Sequence, residues 1–438
     1  MTPETIGLLG ILALIALVAA GVHLAIVMGM VGILGLWAIT GSLEMGIQTA
    51  ATGGFNKVTL YALSCIPPFI FMGEILKHTG LTENLFTAVY KWIGRLPGGL
   101  AIATIVANAG FGAVCGSSYV ATAIFTQVAF PEMLRYKYDK RLAGGTVLGG
   151  GMLAMLIPPS ILMVVYGIIT ETSVAHLLIA GIGPGLTLAT MFIFLILLRV
   201  KMNPALAPRS PIAFTLREKI AGSSGLIGIV AMGLFIVIGI YTAIFTPTEA
   251  GAGGALFALV MALSMRKLTW SNFKEACVET LRTNAILLSI ILCATSFARL
   301  ITLSRLPSVV AEWVGSSGLP NMGIVALFMV MYLFLGCILD ATSMMFLTLP
   351  ILHPLILKLG MDPIWFAMCV VVSIEAGFLT PPVGLTVYCL RAVAGDVISL
   401  EEAFSAAFPF FIVAVITLAI VMFVPPISTF IPGTMWQR

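Results

Sequence analysis

The sequence predicts an all-α polytopic membrane protein, built as an inverted-topology repeat with two oppositely oriented re-entrant hairpins and two unwound helices. Three observations lead there. Of 438 residues, 60% are hydrophobic and 9% charged, against about 25% charged in a soluble domain. Apolar segments long enough to cross a bilayer follow one another along the whole chain. Two longer apolar stretches carry small, polar centres, and their landmarks recur at a nearly constant offset.

A helix needs about 20 apolar residues to cross the hydrocarbon core. Spans are expected at 5–20, 22–40, 57–77, 143–169, 174–198, 220–242, 245–265, 283–303, 362–392 and 406–428. Gly21 makes the first two either separate spans or one long bent helix. The first apolar stretch, Ile6 to Trp37, outruns the apolar core of a signal peptide and has no basic residues before it, so no leader is expected. Residues Leu81 to Trp92 read as an amphipathic helix lying at the cytoplasmic interface, and Trp270 to Arg282 as a second one. Such helices would brace a static scaffold around a moving core.

The stretches Pro97–Pro131 and Leu319–Leu357 are too long for one crossing and too short for two. Their centres are Cys115-Gly116-Ser117-Ser118 and Asp340-Ala341-Thr342-Ser343. Re-entrant hairpins with tips near mid-membrane fit, since irregular backbone survives there only where protein or a water-filled cavity surrounds it. Charge sets the direction. Lys91 and Arg95 precede the first hairpin, and Arg135, Lys137, Lys140 and Arg141 follow it, so both ends face the cytoplasm. Span 143–169 exits at Glu171. Span 174–198 returns to a loop with Arg199, Lys201, Arg209, Arg217 and Lys219, and the next pair returns at Arg266, Lys267 and Lys274. The second hairpin then opens from the periplasm, and both termini lie outside.

The halves match residue by residue. Gly112 and Gly336 are 224 apart, as are Ser118 and Thr342; Pro131 and Pro354, Asp139 and Asp362, and Pro158-Pro159 and Pro381-Pro382 are 223 apart. Opposite hairpins make this an inverted repeat, a signature of secondary transporters. The chain divides into scaffold at 1–96 and 201–303, and two transport repeats at 97–200 and 304–438.

Pro-Pro inside a span removes backbone donors and clashes with the preceding turn. Ile157-Pro158-Pro159-Ser160 and Thr380-Pro381-Pro382-Val383-Gly384 should each unwind a helix, freeing carbonyls for a cation and a half-helix N-terminus for an anion. The tips add hydroxyls and a carboxylate, hard oxygens suited to a small alkali or alkaline-earth cation. Asp340 is the most informative residue, because an intramembrane carboxylate is costly. It serves a sodium ion, a proton, or a structural pair. Arg299 either meets a substrate carboxylate bidentately or snorkels to the interface. Arg391 reads as an orientation charge, and Glu74, Glu249 and Glu375 as helix-pairing groups. The 23 methionines read as packing, and the four histidines lack ligand spacing. Seven scattered cysteines without C-x-x-C spacing argue against disulfides or zinc.

Taken in order, Ile157-Pro158-Pro159-Ser160, Thr246-Pro247-Thr248-Glu249-Ala250-Gly251, Gly336-Cys337-Ile338-Leu339-Asp340 and Thr380-Pro381-Pro382-Val383-Gly384 resemble the large membrane subunit of TRAP (tripartite ATP-independent periplasmic) transporters over essentially the whole chain. The resemblance implies a sodium-coupled, elevator-type importer of an organic acid in a bacterial or archaeal inner membrane. It implies a separate small four-helix membrane subunit and a periplasmic substrate-binding protein as partners. It places one sodium ion by Ser117, Ser118, Gly336 and Asp340, and a second by Ser160, Gly377, Thr380 and Val383. Arg299, with Ser118 and Thr342, would meet the acid. A related elevator carrier working without a binding protein is the nearest rival.

Other classes fit poorly. The net charge of +4 is dispersed in short loops, which favours membrane orientation over nucleic-acid binding. No G-x-x-x-x-G-K-[ST] loop supports an ATP-driven pump. The strings Gly222-Ser223-Ser224-Gly225 and Gly315-Ser316-Ser317-Gly318 lack a placed histidine, so intramembrane catalysis is unsupported. A channel would conduct without saturating on an acid.

Overall fold

Caps, prolines and glycines set the helix boundaries. The computed structural model describes residues 2–77, 79–208, 214–316, 318–337 and 339–435; Arg209, Ser317 and Ile338 therefore lie outside the described residues. Among these, every regular element is helical.

α1 (Pro3–Ala19) starts from a Thr2 cap, with Pro3 in the first turn, where its missing N–H costs nothing. α2 (Leu24–Thr40) follows Gly21, whose φ is +86°. The two helices pack on each other and are separate. The expected span 57–77 is only the second arm of a longer bent unit. α3 (Leu43–Gln48) runs through a π turn into α4 (Gly54–Val58). A 3₁₀ turn at Tyr61–Cys65 leads into α5 (Ile66–Lys77), at 54° to the first arm. Pro67 and Pro68 sit in the first turn of α5, which tolerates them. Gln48, Thr49, Thr52, Asn56 and Lys57 mask the first arm from a hydropathy reading. α6 (Leu81–Ile93) is the expected amphipathic helix and buries Leu81, Leu85, Phe86 and Val89.

The first long stretch is a helix–turn–helix, α7 (Gly99–Cys115) and α8 (Ser118–Arg135), with both arms packed on α9 (Lys140–Leu156). α10 (Ile161–Thr170) continues α9 after the proline break at a 43° bend. α11 (Val174–Ala180) and α12 (Ile182–Met202) complete this part. α13 (Leu216–Gly222), α14 (Ser224–Tyr241) and α15 (Pro247–Ser264) follow; Thr215 with Glu218 and Thr246 with Glu249 form capping boxes on α13 and α15.

α16 (Trp270–Leu303) is one helix of 34 residues. The surface helix expected at Trp270–Arg282 is its first third, continuous with span 283–303. Lys274, Glu275, Glu279 and Arg282 end the apolar run, yet none of them ends a helix. α17 (Leu306–Ser316) precedes the second helix–turn–helix, α18 (Asn321–Gly336) and α19 (Ala341–Lys358). α20 (Pro363–Gly377) and α21 (Leu385–Ala394) flank the second proline break. α22 (Leu400–Phe423) and α23 (Pro426–Gly433) end the described chain.

α16 lies along α2, α4 and α5, with α15 on α5. α9 is enclosed by α7, α8, α12 and α22, while α20 meets α18, α19, α22 and α11. The two parts interlock: α21 packs on α8, and α10 on α19. Among the described residues, four helical segments are long and apolar enough to cross a membrane alone, namely Val174–Met202, Trp270–Leu303, Ala341–Lys358 and Leu400–Phe423. Two bent pairs, 43–77 and 140–170, add one span each if taken whole, and six further apolar helices run 10–17 residues. The ten separate spans expected from hydropathy thus resolve into fewer full-length helices and more broken ones, because proline and glycine cut the apolar runs.

Candidate functional site

The first tip turns on one glycine. Gly116 ends α7 at φ +64°, and a Cβ there would stand 2.7 Å from the carbonyl oxygen of Pro159. Only glycine accepts both that conformation and that approach. The tip therefore rests on the first proline break. Ser117 is extended and half-buried, and Ser118 opens α8 fully buried. Ser118 Oγ donates to Glu375 Oε1 at 3.3 Å, a contact between residues 257 apart in sequence. Glu375 lies in α20 with 0% exposure, and its Oε2 has no hydrogen-bond partner among the described residues. Ser160, also buried, caps α10 by accepting from the Met163 N–H at 3.4 Å.

The second tip is built differently. Asp340 is the N-cap of α19; it accepts from the Ser343 N–H at 3.1 Å and from the Ser343 hydroxyl. Cys337 O accepts from the Val383 N–H at 3.2 Å, and Cys337 Sγ lies 2.8 Å from Thr380 Oγ1. The Thr380 hydroxyl donates to Gly377 O at 2.7 Å. Gly336 and Gly377 meet backbone to backbone: a Cβ on Gly377 would stand 2.8 Å from the Gly336 Cα. The second tip is thus seated along the second break. Both X-Pro bonds, Pro158-Pro159 and Pro381-Pro382, are cis.

These contacts cut across the grouping expected from sequence. Gly336 meets Gly377, and its neighbour Cys337 meets Thr380 and Val383, so members of both expected ion regions share one seam. Ser118 reaches the same helix two residues earlier, at Glu375. Ser160 lies on the first break beside the first tip, and Thr342 is half-buried in the first turn of α19. Arg299 stands apart from the tips: it is exposed on α16. Its neighbours Ile291, Ala294, Thr295 and Ala298 line a cavity of about 190 Å³ with Phe346 and Pro350 of α19, and the basic residue there is Lys57.

Two further cavities flank the seam. One, of about 360 Å³, runs between α8 and the α5–α6 turn, from Lys77 and Glu83 to Tyr119 and Cys389. The other, of about 520 Å³, joins Tyr61, Glu171, Thr172 and the Thr246-Pro247-Thr248 cap of α15. At its rim Lys57 Nζ donates to Glu171 Oε1 at 2.7 Å, and this bond holds the Glu171 carboxyl below the usual carboxylate range. Among the described residues, no three His, Cys, Asp or Glu side chains converge as metal ligands. The oxygen atoms at the tips are hydroxyls, carbonyls and single carboxylates, a set that suits a weakly held alkali ion.

Glu375, read from sequence as a helix-pairing group, does join α20 to α8, though its partner was not visible; Lys57 was read only as the start of a span.

Comparison with known proteins adds the context. Residues 11–427 match the family model of the tripartite ATP-independent periplasmic transporter, DctM component. The C4-dicarboxylate TRAP transporter large permease protein DctM of Pseudomonas aeruginosa is 34% identical over 88% of this chain and 90% of its own length. The isethionate TRAP transporter permease protein DctMQ of Oleidesulfovibrio alaskensis is 30% identical over 94% of this chain, which covers 64% of that longer protein. In fold, the chain is similar to the YdaH transporter of Alcanivorax borkumensis, with a TM-score of 0.59 at 16% identity, covering 88% of this chain and 90% of that one.

Proposed function

Because the chain belongs to the DctM-component family of tripartite ATP-independent periplasmic transporters, we propose that it is the substrate-translocating subunit of a sodium-coupled importer of small organic acids in the inner membrane. The observation that carries this reading is the seating of both helix–turn–helix tips on proline-broken helices, with hydroxyls and carbonyls at the contacts and a carboxylate bonded at each tip. Relatives named for a C4-dicarboxylate and for isethionate share an anionic, oxygen-rich cargo, and half-helix N-termini at the breaks favour such a group.

In this reading, residues 97–200 and 304–438 form the moving core as an inverted repeat, and 1–96 and 201–303 the scaffold. Sodium enters at two places, by Ser117, Ser118, Gly336 and Asp340 and by Ser160, Gly377, Thr380 and Val383. It draws tips and breaks together and completes the pocket for the acid near Ser118 and Thr342. Lys57, at the cavity that Arg299 does not line, is the basic group better placed to meet an incoming anion. The loaded core slides against the scaffold, elevator fashion, and releases sodium and acid inside. Coupling requires that sodium and acid stabilise the same state, because a ligand shifts only an equilibrium it binds unequally. One sodium ion supplies about 1.4 kcal/mol per tenfold gradient and about 2.3 kcal/mol per 100 mV. Two such ions are ample to concentrate a dilute acid. A periplasmic binding protein delivers the acid. A small membrane subunit completes the transporter in this reading; this chain covers 64% of the longer DctMQ permease protein.

The test is uptake in proteoliposomes holding this chain, its small subunit and its binding protein, under a sodium or a proton gradient. Sodium-driven uptake that needs the binding protein is expected. Uptake on protons alone would recast Asp340 as a proton carrier. Uptake without the binding protein would move the chain to the carriers that work alone.

A further inference from the structure

We propose that Glu375 is a positioning residue, aiming the Ser118 hydroxyl and joining the two sodium regions into one cooperative unit. This rests on the sodium-coupled reading above and deepens it.

A hydroxyl has one hydrogen to give and two lone pairs to offer. At the first tip the Ser118 hydrogen is directed at Glu375 Oε1, 3.3 Å away. With Glu375 Oε1 as the acceptor, this contact fixes the hydroxyl rotor in one sense. The lone pairs of Ser118 then face away from Glu375, ready for a cation. Any donor in place of Glu375 would reverse that polarity and present a hydrogen to the ion instead.

The position of Glu375 on α20 supplies the second half of the argument. One residue separates it from Gly377, whose backbone touches Gly336 and whose carbonyl holds the Thr380 hydroxyl. Within a single helical turn, α20 grips the first tip by a side chain and the second tip by its backbone. A shift of α20 that closes one region therefore moves the other. No packing need explains a carboxylate at this place. Glu375 is fully buried, its second oxygen has no partner among the described residues, and an apolar side chain would fill the space without that cost.

The experiment is sodium titration of acid uptake by the reconstituted complex, comparing wild type with Glu375→Gln, Ser118→Ala and the double variant. Glutamine keeps the size but can donate as well as accept, so it leaves the rotor undirected. The sodium concentration for half-maximal uptake should rise about tenfold, as expected for one hydrogen bond to a buried group. The Hill coefficient for sodium should fall towards one in both single variants. The double variant should be no worse than either single one, because the two residues act through one contact. Unchanged sodium affinity and Hill coefficient in Ser118→Ala would overturn the proposal, even if Glu375→Gln failed to fold. So would a Glu375→Gln carrier that loses only folded yield. Failure of the underlying reading looks different: wild-type uptake would then not respond to sodium at all.

Discussion

The two tips hold a carboxylate apiece, but they obtain it in opposite ways. At the second tip, Asp340 belongs to the turn itself, caps its own helix and is bound by Ser343 three residues on. At the first, the turn is Gly116-Ser117-Ser118, and the carboxylate comes from Glu375 on a distant helix. The fastening differs too. The second tip is pinned to its break by backbone contacts, Val383 N–H to Cys337 O and glycine against glycine. The first rests on its own break at Gly116 against Pro159 O, and reaches α20 through one side-chain hydrogen bond. Two helix–turn–helices alike in outline thus differ in chemistry, with one packed rigidly on α20 backbone to backbone and one joined to it by a polar side chain.

The strongest way to break that comparison is Gly377→Ala. The added methyl would meet the Gly336 Cα at 2.8 Å, where backbone faces backbone and nothing can rotate aside. We expect a loss of about 1–3 kcal/mol or more, seen as reduced folded yield and an earlier thermal transition in detergent. A variant that melts like wild type would remove the claim that this tip is packed rigidly.

Asp340 gives the next largest effect and separates two roles. Asp340→Ala should lose sodium-driven uptake together with about 1 kcal/mol of helix capping. Asp340→Asn keeps the cap, since asparagine caps as well as aspartate, but removes the charge. Normal thermal stability with lost sodium response is the expected outcome for Asn. Full uptake in Asp340→Asn would leave the second tip with capping alone.

The smallest effect calibrates the other two. Lys57 and Glu171 form an exposed ion pair, 37% and 79% accessible, worth no more than about 1 kcal/mol. Lys57 lowers the Glu171 carboxyl in the folded chain, so the contribution is complete above the ordinary glutamate value near about 4.3. It disappears as pH falls through the lowered folded value. Melting curves of wild type and Lys57→Ala should differ slightly at neutral pH and converge in acid or high salt. A large difference at neutral pH would mean that this surface contact matters as much as the buried seam.

What was legible in the sequence follows the same line between local and distant. Asp340 was readable because a carboxylate stands at the small, polar centre of a long apolar stretch. The breaks were readable because proline acts on its own neighbours. The Ser118–Glu375 contact was not, since nothing near either residue marks the other. Hydropathy misled at Leu43–Val58, where polar side chains on one arm of a bent unit hid a helix, and at Trp270–Arg282, where charges ended the apolar run without ending the helix.

The length of α16 sets how the molecule meets its lipid. At about 1.5 Å per residue, its 34 residues make a rod of about 51 Å, against a hydrocarbon core of about 30 Å. The apolar part, 283–303, matches that core by itself, so the charged first third stands clear in the aqueous phase like a mooring post. A rod of this kind cannot lie flat on the surface. It fixes the depth at which the rest of the scaffold floats, and a thicker bilayer would have to thin around it.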